Sequence, residues 1–218
     1  MAEQIQLISL NIGTPKKLIW KGEPFETAVQ KKSVKEAFLS FNGFNDDDVA
    51  NKKHHGGPDR AVLIYAYEHY SFWEKEFGKQ FQVPGFGENL TATGMKESEV
   101  YIGDTYQVGD AIIQVTQGRI PCQTLSQYNE ENHLLKRIVE TGYTGILCRV
   151  LKEGILTENS PITLIERDPK SVTVQASLQV YYHQNDNTDA AKNIIHIEAL
   201  AERWREQLIN RYNLQERH

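Results

Sequence analysis

Cysteine is scarce in this 218-residue chain: only Cys122 and Cys148 occur, with 25 residues between them. Two thiols without a Cys-x-x-Cys exclude a disulfide framework, a cysteine-rich zinc site and a thioredoxin-like pair. An all-cysteine iron–sulfur cluster needs four thiolates, so this chain alone holds none. Long apolar runs are missing too. No stretch of about eighteen apolar residues occurs, and Met1-Ala2-Glu3-Gln4 opens no signal peptide, so the expectation is a cytoplasmic protein without a membrane partner. Positive charge is not in excess. Lys plus Arg number 24 against 29 Asp plus Glu, a net charge of −5, which disfavours a general nucleic-acid binder. Signatures of the GxSxG, P-loop, HExxH and GxGxxG types are absent, so no dinucleotide relay of that kind is expected.

What is present suffices for one core with a small appendage: 39% of residues are apolar and 24% charged. Residues 1 to about 165 read as short strands punctuated by Gly, Pro, Asn and Asp. Strands are expected at 5–10, ending in a turn at 11–15, and at 61–66, 100–102, 105–108, 111–117 and 145–150. The last of these carries Cys148, which reads as a small buried hydrophobe. Helices are expected over 68–77, from Tyr70, Trp73 and Phe77, and over 130–140, from Leu134, Leu135, Ile138 and Val139. After Arg167-Asp168-Pro169 the texture becomes helical. Val174, Leu178 and Tyr181 share a face, Thr188-Asp189 suits a helix start, and Ile197, Leu200, Trp204, Leu208 and Tyr212 line another stripe. The fold class expected is mainly β: a barrel-like sheet with a few covering helices over residues 1–167, then a three-helix region over 168–218. That tail holds 6 Lys or Arg against 7 acids, which argues against a DNA-reading helix-turn-helix.

Three segments hold the conspicuous chemistry. The first is Lys52-Lys53-His54-His55-Gly56-Gly57-Pro58-Asp59-Arg60, with three permanent positive charges and two imidazoles beside one carboxylate. Paired glycines let the backbone approach a ligand, and their N–H groups can face an anion. The segment reads as a phosphate- or oxyanion-binding loop, or as a solvated basic turn. Adjacent histidines in a strand point to opposite faces, which weakens a two-histidine metal site. The second segment, Phe86-Gly87-Glu88-Asn89-Leu90, suits either a polar heterocycle or an Asx-type turn. The third is Arg119-Ile120-Pro121-Cys122 at a strand exit. A cationic neighbour favours the thiolate, the form that attacks carbon or ligates a soft metal; a plain loop thiol is the alternative. Neither Arg60 nor Arg119 reads as a core residue.

In order, the stretch from His55 to Ala61, Phe86-Gly87-Glu88-Asn89-Leu90, Gly103-Asp104 and Arg119-Ile120-Pro121-Cys122 resemble the motif set of MOSC domains, relatives of the C-terminal domain of molybdenum-cofactor sulfurase. The YiiM-like branch of that family adds a small three-helix region, similar to residues 168–218, so the resemblance spans essentially the whole chain. It implies a distorted MOSC-type β-barrel that binds the molybdenum cofactor, a pterin (molybdopterin) carrying a dithiolene and a phosphate. It implies Cys122 as catalytic residue and molybdenum ligand, and Arg119 and Asn89 as cofactor-binding positions. His55, Gly56, Gly57, Asp59 and Arg60 match the Gly-rich loop near the cofactor. Lys52 and Lys53 join that set on charge alone. The implied activity is reduction of N-hydroxylated compounds, such as hydroxylaminopurine base analogues, to amines, with an external electron-donor reductase as partner. A cofactor carrier, or a sulfur-transfer protein with a persulfide on Cys122, are the other roles it leaves open.

Overall fold

The computed structural model describes residues 5–50 and 56–214. The N-terminal part contributes β1 (Gln6–Ile12), β2 (Lys16–Trp20), β3 (Glu23–Thr27), β4 (Lys32–Ser33), β5 (Glu36–Ser40) and β6 (Gly43–Phe44). The middle contributes β7 (Val62–Ala66), α1 (Glu68–Phe77), β8 (Leu90–Thr93), β9 (Thr105–Val108) and β10 (Ala111–Gly118). After these come α2 (Thr124–Tyr128), α3 (Leu134–Thr141), β11 (Ile146–Lys152), β12 (Gly154–Thr157) and β13 (Ile162–Glu166). Helices α4 (Val174–His183), α5 (Thr188–Ile195) and α6 (Glu202–Tyr212) follow.

Eight strands share one sheet in the order β13-β9-β10-β11-β7-β8-β1-β4; β12-β5-β6 form a second sheet and β2-β3 a hairpin. Within the large sheet only β7 and β8 run parallel, with Ile64 opposite Leu90. A parallel pair needs a crossover, and α1 supplies it. The fold is thus sheet-dominated, with helices over its surface and a helical C-terminal region. β13 and β4 stand at the outer edges of the large sheet, and no pairing among the described residues joins them.

Two apolar clusters hold the elements together. The larger joins Leu10, Ile64, Val115 and Cys148 of the sheet to Val174, Leu178, Trp204 and Leu208 of the C-terminal helices. Those helices therefore share a core with the sheet. Gly118 permits the approach, since a Cβ there would meet the Leu178 side chain at 2.8 Å. The smaller cluster is aromatic, with Tyr65, Tyr70, Trp73, Phe81 and Phe86 packed around α1. Phe86 stacks on Tyr65 at 4.3 Å, and Trp73 Nε1 donates to the Tyr65 hydroxyl at 2.7 Å, which satisfies two buried polar tips.

The helix over 68–77 forms as expected and ends at Gly78 with φ 66°, a left-handed cap. Four local expectations are revised. β1 continues through Asn11 and Ile12, because Asn11 is satisfied inside the sheet: its Nδ2 donates to Thr91 Oγ1 (3.2 Å) and its Oδ1 accepts from Ser33 Oγ (3.0 Å). Residues 100–102 make only an isolated bridge from Tyr101 to Thr173, since the Asp104 carboxylate takes the Tyr101 N–H at 2.9 Å and turns the chain. The helix expected over 130–140 starts at Leu134, and Glu130, at φ 50°, separates it from α2. α6 starts at Glu202, so Ile197 and Leu200 lead into it rather than lie on it. Among the described residues no helix is long and apolar enough to cross a membrane.

Candidate functional site

β10 ends at Gly118, and the next residues turn from strand to helix. Arg119 N donates to Gly145 O at 2.9 Å, Pro121 redirects the chain, and Leu125 N donates to Cys122 O at 3.1 Å to begin α2. Cys122 thus sits at a strand-to-helix junction and is partly exposed. Arg119 is buried, at 9% exposure, contrary to its reading as a residue outside the core. Its Nη1 donates to Phe86 O at 2.5 Å. Burial pushes the guanidinium pKa down, while Cys122 and Glu88 pull it back up. The physical reason for the burial is the distant Phe86 carbonyl, which needs a donor and finds it in Arg119.

The Phe86–Leu90 segment forms the neighbouring wall. Gly87 has φ 78°, and a Cβ there would come within 3.3 Å of Val29 Cα. Glu88 is fully buried and accepts from Tyr70 Oη (2.5 Å), Phe86 N (2.9 Å) and Thr91 Oγ1 (2.9 Å). Asn89 Oδ1 accepts from Leu63 N at 3.1 Å, and its Nδ2 donates to Asp47 Oδ2 at 2.9 Å. Asp47 in turn accepts from Gly13 N at 2.7 Å and pairs with the buried Lys31 ammonium. Burial lowers the Lys31 pKa, and Asp47 opposes that shift.

The third wall is the Gly-rich loop. Gly56 (φ 77°) and Gly57 (φ 95°) adopt conformations that L side chains rarely reach. Arg60, at the end of the turn Pro58–Arg60, is half-buried; burial lowers its pKa, the charge of Arg203 lowers it further, and the charge of Asp59 opposes both. Asp59 serves the fold instead. Its Oδ1 accepts from Arg149 Nε (3.1 Å) and Nη2 (2.9 Å), its Oδ2 accepts from Glu202 N (3.1 Å), and its carbonyl accepts from Thr116 Oγ1 (2.6 Å). It ties the loop to β10, β11 and the start of α6.

These walls enclose a cleft of about 780 Å³ lined by Gly56, Gly57, Arg60, Asn89, Arg119 and Cys122 together. Asp59 stands outside that lining, and Lys52, Lys53 and His55 lie outside the described residues. The cleft is also lined by Lys31 and Asp47, and by Arg203 and Gln207 of α6, none of which the sequence reading found. Arg203 and Gln207 are one turn apart beside the buried Trp204 and Leu208, but nothing local ties that edge of α6 to position 60. Among the described residues no group of three or more His, Cys, Asp or Glu converges as a metal cage. Cys122 contributes a soft donor to the lining of the cleft.

A family model described as MOSC domain matches residues 51–163, and one described as YiiM-like, 3-alpha helix domain matches residues 172–211. The chain is 37% identical over 204 residues to the uncharacterised protein YflK of Bacillus subtilis, a match covering 93% of this chain and 92% of that one. It is 34% identical over 165 residues to a protein named reductase from Gibberella moniliformis, covering 74% of this chain and 29% of the fungal one. Its fold matches the crystal structure of YiiM from Geobacillus stearothermophilus with a TM-score of 0.81 at 32% identity, covering 95% and 99% of the two chains.

Proposed function

The chain belongs to the MOSC-domain family, in its YiiM-like branch, and from that premise we propose that it is a molybdenum-cofactor-dependent reductase of N-hydroxylated compounds fed by an external electron donor. The observation that carries the reading is the meeting of Cys122, Arg119, Asn89 and the Gly56-Gly57 loop in one cleft. In this reading residues 1–167 form the family's distorted barrel, 168–218 its helical region, and the protein works in the cytoplasm.

The residues present fit such a cofactor. Its metal needs a soft donor, and Cys122 Sγ would provide it. Its phosphate needs cationic and N–H groups at close approach. The Gly56-Gly57 backbone, with φ 77° and 95°, leaves open space beside it: a Cβ at Gly56 would make only an ordinary contact with Val49 at 3.4 Å, and one at Gly57 would find Arg60 Nη2 at 4.0 Å. The cofactor, when bound, supplies the two-electron chemistry. Overall, a hydroxylamino nitrogen takes two electrons and two protons, the N–O bond breaks, and the products are an amine and water. Arg119 positions the Cys122 turn by bonding the Phe86 carbonyl. Asn89 and the Lys31–Asp47 pair fix the opposite wall through Leu63 and Gly13. The reductase name of the fungal relative supports the reaction class.

The test is to purify the chain from a host that makes the cofactor, then supply a reduced viologen dye and an N-hydroxylated purine. Amine formation that scales with bound molybdenum is the expected result. Molybdenum without amine formation would favour a carrier, and sulfur on Cys122 without metal would favour sulfur transfer.

A further inference from the structure

Outside the lining of the cleft lies a buried His–Glu pair to which the proposed reaction gives no role. Glu97, on the connection between β8 and β9, sets its Oε2 2.6 Å from His69 Nε2 of α1, and both side chains are buried. Glu97 Oε1 accepts from Gly145 N at 2.7 Å, and Gly145 O accepts from Arg119 N at 2.9 Å. We propose that Glu97, backed by His69, is a positioning residue. It fixes the Gly145 peptide, and through that peptide the backbone of the Arg119–Cys122 turn at the cleft. The placement of the turn stands on geometry, and only its value for holding a metal rests on the reductase reading.

Three observations support this. First, the strand ladder alone does not set this end of β10. Its pairing with β11 slips in register between Val115 and Gln117, and Thr116 Oγ1 donates to Leu147 O (3.0 Å) and Asp59 O (2.6 Å). A bulge of this kind re-aims the chain beyond it, and the rungs before Cys122 then gain from a tie made outside the ladder. The Glu97 bond to Gly145 N is such a tie.

Second, Gly145 has little room to move. Its φ is 91°, and a Cβ there would meet Leu63 Cδ1 at 3.0 Å and Ile64 O at 3.1 Å, so the peptide lies close against β7. His69 grips the same loop a second time, since its ring stacks on Tyr143 at 3.9 Å. Third, Glu97 is itself anchored, because its carbonyl accepts from Gln175 N of α4 at 2.8 Å. A carboxylate held in this way gives Gly145 N–H a charge-assisted bond, about twice as strong as a neutral one.

The probe is iodoacetamide on the full chain without cofactor, with Cys122 labelling followed by peptide mapping at a temperature where every variant is folded. The Arg119 guanidinium keeps its bond to Phe86 O, so what E97A loosens is the backbone of the turn. Cys122 should then label roughly threefold faster or more. E97Q should stay within roughly twofold of wild type, since its amide oxygen can still accept from Gly145 N. L156A, which opens a cavity in the larger cluster away from the cleft lining, is the control for lowered stability, and its Cys122 rate should equal that of wild type. A wild-type rate in E97A, an E97Q rate equal to that of E97A, or the same acceleration in L156A would each overturn the proposal. Should E97A fail to fold, H69L, which removes the imidazole partner of Glu97, takes its place against the same control. In chains from a cofactor-producing host, E97A should retain less molybdenum than L156A. Acceleration in E97A that E97Q reverses, in a chain that never acquires molybdenum, would keep the positioning role and refute the reductase reading. Cys122-dependent molybdenum loading beside an E97A chain that labels at the wild-type rate would do the opposite.

Discussion

Cys148 lies fully buried on β11, where burial pushes its thiol pKa far up, while Cys122 opens partly onto the cleft. Alkylation at about pH 8 should therefore modify Cys122 and spare Cys148 until the chain unfolds. Peptide mapping would read this directly, and labelling of Cys148 in the native chain would contradict its burial. Arg119 and Arg60 differ in the same way. Arg119→Ala leaves the Phe86 carbonyl without its donor and removes a buried side chain, so stability should fall by about 1.5–3 kcal/mol along with cofactor retention. Arg60→Ala should lower retention while the thermal melt stays near wild type. Equal melts for the two variants would contradict the assignment. The Arg-x-Pro-Cys turn made Arg119 legible as a neighbour of Cys122. Its burial was not legible, because the carbonyl it serves belongs to a segment 33 residues earlier.

At the scale of elements, the Gly-rich loop depends on one backbone geometry. Gly57 has φ 95° and ψ 162°, a region open essentially to glycine alone. Gly57→Ala should cost about 1–3 kcal/mol of strain, which the loop can relieve by moving. Cofactor retention should fall more than the melting temperature, since no residue of the adjoining turn Pro58–Arg60 is buried. A variant that keeps full retention would show that the loop is no cradle. The sequence made the strands at β7, β9, β10 and β11 and the helix α1 legible, because each carries a local apolar period. It did not show that β8 joins β7 in parallel, or that Asn11 belongs inside a strand. Both depend on partners far along the chain, Leu63 with Asn89 and Thr91 with Asn11. Of the site, the loop, the Asn89 segment and Cys122 were legible as motifs. Lys31, Asp47, Arg203 and Gln207 were not, because their meaning comes only from what the fold sets beside them.

For the whole molecule, the C-terminal helices share one apolar cluster with the sheet. Trp204→Ala should then lower the stability of the entire chain by about 3–5 kcal/mol in a single transition, read by denaturant melts with sheet- and helix-sensitive probes. Two separate transitions would contradict a shared core. Alkaline stability follows from the phenols. Tyr65, Tyr70 and Tyr106 are buried, and burial, the largest cause in each, raises their pKa values. The folded state then keeps protons that the unfolded chain releases near pH 10. Their contribution is intact below about pH 10 and lost as pH rises through the higher folded values, so tyrosinate absorbance should appear together with unfolding.

The central claim is that this cleft holds the molybdenum cofactor through Cys122. The most direct measurement is molybdenum and pterin per chain in wild type, C122S and C148S, each purified from the same cofactor-producing host. Nearly equimolar cofactor in wild type and C148S, with little or none in a C122S chain that still folds, is the predicted result. Equal molybdenum in C122S and wild type would contradict it.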